Sequence, residues 1–197
     1  AAGAAAPVLS EVARSKISSV VSRLLGAARG ELERARRYVN ASRLTPVAAY
    51  ALRNYLDNYA AAYLSRAASL GADIAAAPLS TTSIAYSRWV MYLVDYYSDR
   101  SLEAAVSQVF DSLSSALDSV EAAGASNTAE LGFKILAADL LIRASRLFNS
   151  SASQWSSDPV SALQSLAFAS ALLDEARLWA EGLPGGPFRV SAGTAES

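Results

Sequence analysis

The sequence contains no histidine and no cysteine. Without imidazole or thiol it can build no Ser-His-Asp or Cys-His nucleophile pair, no zinc finger, no disulfide and no thiolate redox centre, and haem or blue-copper ligation of the usual kinds is excluded too. Lysine is nearly missing as well: of 17 basic residues only Lys16 and Lys134 are lysine. The positive charge therefore sits on guanidinium groups, which favour bidentate and stacked contacts. Charged residues make up 18% of the chain, below the roughly 25% usual in soluble domains. Alanine and serine take their place, and such a surface suits close helix contacts. The uncharged stretch Ile74 to Ser87 is broken by Pro78 and rich in Ser and Thr, so no transmembrane span is expected. No Walker lysine loop, G-x-G-x-x-G turn or G-x-S-x-G elbow occurs. The acidic pairs Asp95 with Asp99, Asp118 with Glu121 and Asp174 with Glu175 have ordinary surface spacings. No catalytic residue, no cofactor and no metal ligand is assigned, and the chain reads as a protein that is not an enzyme.

What is present is apolar and periodic. Hydrophobic residues make up 52% of the 197, enough for one substantial core. Six helical segments can be drawn. The first runs from about Ser10 to Val39, with Ile17, Val20, Val21, Leu24, Ala28, Leu32, Ala35 and Val39 three or four apart. The second starts at Thr45-Pro46, a cap followed by proline at the first helical position, and ends at Leu70 before Gly71. Residues Ala72–Thr82, with Pro78, read as a connector to a short helix over Ser83–Tyr97. A fourth helix spans about Asp99–Ala123, a fifth Asn127 to near Asn149, and a sixth opens at Asp158-Pro159 and stops before Gly182. The fold class expected is an all-α helical bundle.

The organisation expected is an N-terminal small-residue arm over 1–9, a bundle over 10–181 and a Gly/Pro tail over 182–197. Inside the bundle, 10–71 and 127–181 read as related hairpins. Arg37-Tyr38-Val39-Asn40-Ala41-Ser42 parallels Arg146-Leu147-Phe148-Asn149-Ser150-Ser151, and Thr45-Pro46-Val47 parallels Asp158-Pro159-Val160. The helix pair 83–123 is then an insertion between the copies; convergence on common capping chemistry is the competing account. The small-residue run Ala1–Pro7 resembles sequence near a processing site.

Three constellations are candidate contacts. Asn40-Ala41-Ser42 and Asn149-Ser150-Ser151 match the N-x-Ser glycosylation pattern at expected junctions, which would imply secretion. Arg29, Arg34, Arg36, Arg37 and Arg43 form a basic group able to contact phosphate, interrupted by Glu31 and Glu33, so nucleic acid is a candidate partner against the plainer reading of a solvated face. Tyr55, Tyr59, Tyr63, Trp89, Tyr92 and Tyr96 offer aromatic surface for an interface, set against an aromatic core with hydroxyls at its rim. Charge is also uneven: residues 1–75 carry 10 basic and 5 acidic groups, and residues 76–197 carry 7 and 13.

Taken together, these features point to a structural subunit that self-assembles through helix faces and terminal arms, as a viral capsid or coat, a filament or a surface layer. Its partners would be further copies of itself, its place extracellular or in a virion. An intracellular helical adaptor, cytoplasmic and unglycosylated, is the alternative. The arginine-rich, thiol-free composition suits hot surroundings.

Overall fold

The computed structural model describes residues 10–185. It is an all-α bundle of six rods: α1 (Glu11–Asn40), α2 (Pro46–Tyr55) continued by a π turn (Leu56–Ala60) into α3 (Ala61–Leu70), α4 (Ala76–Tyr97), α5 (Glu103–Ala122), α6 (Thr128–Gln154) and α7 (Pro159–Ala180). The arm over 1–9, and all of the tail except residues 182–185, lie outside the described residues.

Local chemistry starts and stops these helices. Ser10, Thr45, Asn127 and Asp158 each accept a hydrogen bond from the backbone N–H three residues on, and Pro46 and Pro159 occupy first positions where no amide is needed. At α6 the box is reciprocal, since Glu130 accepts from the Ser126 amide at 2.7 Å while Asn127 accepts from the Glu130 amide at 2.9 Å. Gly71, at φ 64°, ends α3 in a conformation that side-chain-bearing residues adopt only under strain. The π turn lies in an unbroken rod, where the Ala61 amide reaches back to the Leu56 carbonyl.

α4 and α7 form the central pair and bury residues around most of their circumference, including Ile84, Val90 and Val94 on α4 and Leu163, Leu173 and Trp179 on α7. α1 lies parallel to α4, as Glu31–Arg88 and Tyr38–Asp95 contacts require, and α7 runs against both, pairing Thr81 with Glu175 and Trp89 with Val160. α1 and the α2–α3 rod cover α4; α5 and α6 cover α7. The core has two parts, one among α1, the α2–α3 rod, α4 and the start of α7, the other extending through α5, α6 and the rest of α7.

Two expectations need correction. The Ala72–Thr82 connector is largely helix, because α4 begins at Ala76, seven residues before Ser83. Pro78 is its third residue, where the amide has no helical partner to lose. The Ser and Thr that made the stretch look irregular bond inward: Ser80 donates to the Ala76 carbonyl and Thr82 to the Pro78 carbonyl, at 2.9 and 2.8 Å. Likewise α6 passes Asn149 and ends at Gln154, with Ser153 donating to the Ser150 carbonyl. α6 packs directly against α7, whereas α1 and the α2–α3 rod meet chiefly through α4.

Candidate functional site

A cleft of about 810 Å³ lies between the start of α2 and the end of α4. Its apolar floor is Leu52 and Tyr55 from α2, Trp89 and Leu93 from α4 and Val160 from α7. The Trp89 indole is held by donating to the Val160 carbonyl at 3.1 Å. Arg43 and Arg100 stand at the polar side with Ser98 and Asp99. Asp99 takes φ 51°, which turns the chain so that the Arg100 amide returns to the Asp95 carbonyl at 2.9 Å. The Arg100 guanidinium then donates to the Tyr38 hydroxyl at 3.1 Å, and that hydroxyl donates to the Asp95 carboxylate at 2.6 Å. The bond to Asp95, with burial, raises the Tyr38 phenol above its ordinary value. The cleft offers apolar area and fixed positive charge, with no nucleophile–base pair in hydrogen-bond contact.

The aromatic candidates separate into groups. Tyr86 is the hub of one cluster, stacked with Tyr59 and Tyr63 at centroid distances of 5.0 and 5.8 Å and edge-on to Phe168 and Trp89. Tyr55 bridges Tyr59 and Trp89. Trp89 is core, Tyr63 is half-buried, and Tyr55 and Tyr59 keep an exposed edge, so one cluster is both core and rim. Tyr92 is half-buried in a cavity of about 100 Å³ beside Arg88, and burial raises its phenol. Tyr96 packs against Tyr97 and Trp155 at the far end of α4.

The five arginines do not form one stripe. Arg36 is tied to Glu33 and Asp57 at 3.1 and 3.0 Å, joining α1 to the π turn. Arg34 lies 3.8 Å from Glu31. Arg29, Arg37 and Arg43 are exposed and have no acidic partner among the described residues. At about 100° per residue, Arg34 sits about 140° round α1 from Arg29. The group therefore spreads over the outside of α1 rather than tracking a line.

The two N-x-Ser sites are not equivalent in place. Asn40 is the exposed last residue of α1, its amide oxygen accepting from Arg53 at 3.3 Å. Asn149 is exposed but inside α6, and Ser151 of its triplet is buried and donates to the Ala162 carbonyl at 2.7 Å. The junction expected at Asn149 is therefore replaced by continuous helix.

The outer side of α5 has a different chemistry. α5 carries Glu103, Asp111, Asp118 and Glu121 and no basic residue. Only Val109, Ala116 and Val120 of this helix are buried. Beside them Val106, Phe110 and Leu117 remain 41%, 58% and 44% exposed. Val106 and Glu103 line an open groove of about 400 Å³ with Leu102, Phe148 and Trp155.

Two buried polar nodes escaped the sequence reading. Arg88 on α4 donates to Asp174 at 2.6 Å, to Ser170 at 2.9 Å and to Glu31 at 3.3 Å, clamping α4 to α7 and α1. Glu175, adjacent in sequence to Asp174, points elsewhere: it is buried, and accepts from the Thr81 hydroxyl at 2.8 Å and the Trp179 indole at 3.3 Å. Burial raises its carboxyl above the ordinary glutamate value. A charged residue at an interior helical position was the available signal for Glu175, since it lies three residues after Leu172 and four before Trp179 on the apolar face.

Among the described residues no three His, Cys, Asp or Glu side chains converge as metal ligands, and no helix is long and apolar enough to cross a membrane. Compared with protein-family models, curated proteins and solved structures, the chain matches none.

Proposed function

We propose that this chain is a non-enzymatic structural subunit whose helix faces pack against further copies of itself, in a coat, filament or surface layer outside the cell or in a virion. The observation that carries this reading is the large apolar side chains left open on both flanks of the bundle, Val47 and Tyr50 on α2 and Val106, Phe110 and Leu117 on α5. Single exposed apolar residues are ordinary; a helix that buries three residues and exposes three large apolar ones along a neighbouring stripe is a face without a partner. Light scattering and negative-stain microscopy of native material test it. Particles or polymers of uniform morphology are the expected result, and a monodisperse monomer at all concentrations overturns the reading.

A second reading, an intracellular binding module, is favoured by the cleft between α2 and α4. Its volume and its apolar floor with a few polar groups suit a small ligand or a peptide side chain. This reading expects a monomer or dimer in which Trp89 fluorescence responds to a ligand.

A further inference from the structure

The two unpartnered flanks are chemically complementary. From residue 10 to residue 70 the chain has ten basic and four acidic groups, and over the end of α1 and the start of α2 Arg37 and Arg43 are exposed, as are Val47 and Tyr50, at 78% and 63%. On α5 the four charged groups are all acidic, next to exposed Val106, Phe110 and Leu117. The flanks are carried by different helices, since α1 and the α2–α3 rod cover α4 whereas α5 and α6 cover α7. Glu103 suits the first turn of α5, but the acidic charge in its last turns is unfavourable to the helix. Asp118 and Glu121 lie in its final turns, where the partial negative charge of the helix end favours cations, and the last turn has no basic residue. Neither Asp111 nor Asp118 makes an ion pair with any described residue. Folding therefore gives no reason for this pattern, and association does.

From this complementarity we infer that copies of the chain associate head to tail, the acidic, apolar-striped side of α5 on one copy seating against the arginine-bearing α1–α2 side of the next. The inference rests on the self-assembly reading and specifies its contact. The contact is heterologous: each copy uses one face as donor and the other as acceptor, so every added copy leaves one face of each kind open, and the chain of contacts closes into a ring or runs on as a filament. Apolar contact supplies the area, while opposite charge sets which faces meet and speeds encounter.

The test uses two face variants of the full chain, Asp111→Lys/Asp118→Lys on α5 and Arg37→Glu/Arg43→Glu on the other flank, followed by sedimentation velocity at low salt. All four positions are exposed, so circular dichroism is expected to show unchanged helical content. Wild type is expected to gain mass with concentration beyond a dimer, and each variant alone to associate at least tenfold more weakly. In an equimolar mixture the intact α5 face of one variant still meets the intact arginine face of the other, and the two reversed faces, now basic and acidic, are again complementary, so growth beyond a dimer is expected to return. Phe110→Gln and Tyr50→Gln, which change no charge, form a second pair that holds if a charge variant loses helicity: each alone is expected to associate more weakly, and their mixture, with one intact face of each kind, to stop at a heterodimer. Wild type that stays monomeric overturns the self-assembly reading itself. Assembling wild type with unaffected variants leaves that reading standing and overturns this contact, as does a charge-variant mixture that associates no better than either variant alone. Salt-sensitive retention of duplex DNA that Arg37→Glu/Arg43→Glu abolishes, with no gain in mass on protein concentration, assigns the arginine flank to nucleic acid and also overturns it.

Discussion

Replacing Arg88 with methionine is expected to lower stability by about 3 kcal/mol, and the magnitude follows from how unequally its two carboxylates are solvated. The Asp174 side chain is 35% exposed, so water recovers much of what it loses when the guanidinium goes. The Glu31 side chain is only 16% exposed. Its Oε2 is buried without a hydrogen bond, and Arg34 comes no nearer than 3.8 Å. Breaking a buried pair by removing one partner costs about 3–5 kcal/mol because the other charge stays in place, and the wet Asp174 puts this case at the low end. For a chain of this length about 3 kcal/mol corresponds to a fall in Tm of roughly 6–12 °C. The assay is urea denaturation followed by circular dichroism, on wild type, Arg88→Met, and Arg88→Met with Glu31→Met. If the cost is Glu31 left charged in a dry site, the second substitution recovers at least half of it. A loss under about 1 kcal/mol for Arg88→Met, or no recovery in the double variant, would refute the reasoning.

Two further substitutions probe the other buried polar contacts. Glu175→Gln keeps an acceptor and a donor beside Trp179 and Thr81 but cannot ionise, and it is expected to be more stable than wild type at neutral pH. The sign follows from linkage. Burial raises the folded-state carboxyl, and the hydrogen bonds from Thr81 and Trp179, with a smaller pull from Arg143, oppose this only in part, so wild-type stability falls as pH rises from the ordinary glutamate value through the raised one. The gap should therefore close as pH falls below the ordinary glutamate value, and equal denaturation midpoints at neutral pH would contradict it. Ser83→Ala removes the hydroxyl that donates to the Ala60 carbonyl at 2.7 Å and is expected to cost about 1–2 kcal/mol, with faster amide exchange confined to residues near the π turn. Uniform exchange would show that this contact does not hold the turn.

Much of the fold was legible because the helices announce themselves chemically. Ser10, Thr45-Pro46, Asn127 and Asp158-Pro159 start helices in the structure as their types require, and the first-helix apolar series from Val20 to Val39 is buried. The failures share a cause. Between Ala76 and Thr82, and again from Asn149 to Gln154, most residues are Ser, Thr, Asn or Pro, which taken singly signal breaks. Packing overrides them: Ser80 and Thr81 are buried in α4, and Ser151 of α6 is held by α7. The π turn had no legible signal, since the rod is continuous on both sides and the compensating donor, Ser83, comes from another helix.

The candidate contacts were less legible because the sequence orders charge along the chain, whereas a surface orders it in space. Counted by halves, the sequence shows only an excess of basic groups early and of acidic groups late. The late excess is not spread through α6 and α7. α6 carries three basic residues against two acidic ones, and on α7 Asp174 is tied to Arg88 while Glu175 is buried. The helix that carries acidic groups and no basic one is α5, where Asp111 and Asp118, seven residues apart, fall on the same side. With mixed charge at those positions the same three residues would still be buried and α5 would be more stable alone. An arrangement that the bundle does not need and its own helix disfavours is the feature for which a contact outside the subunit accounts.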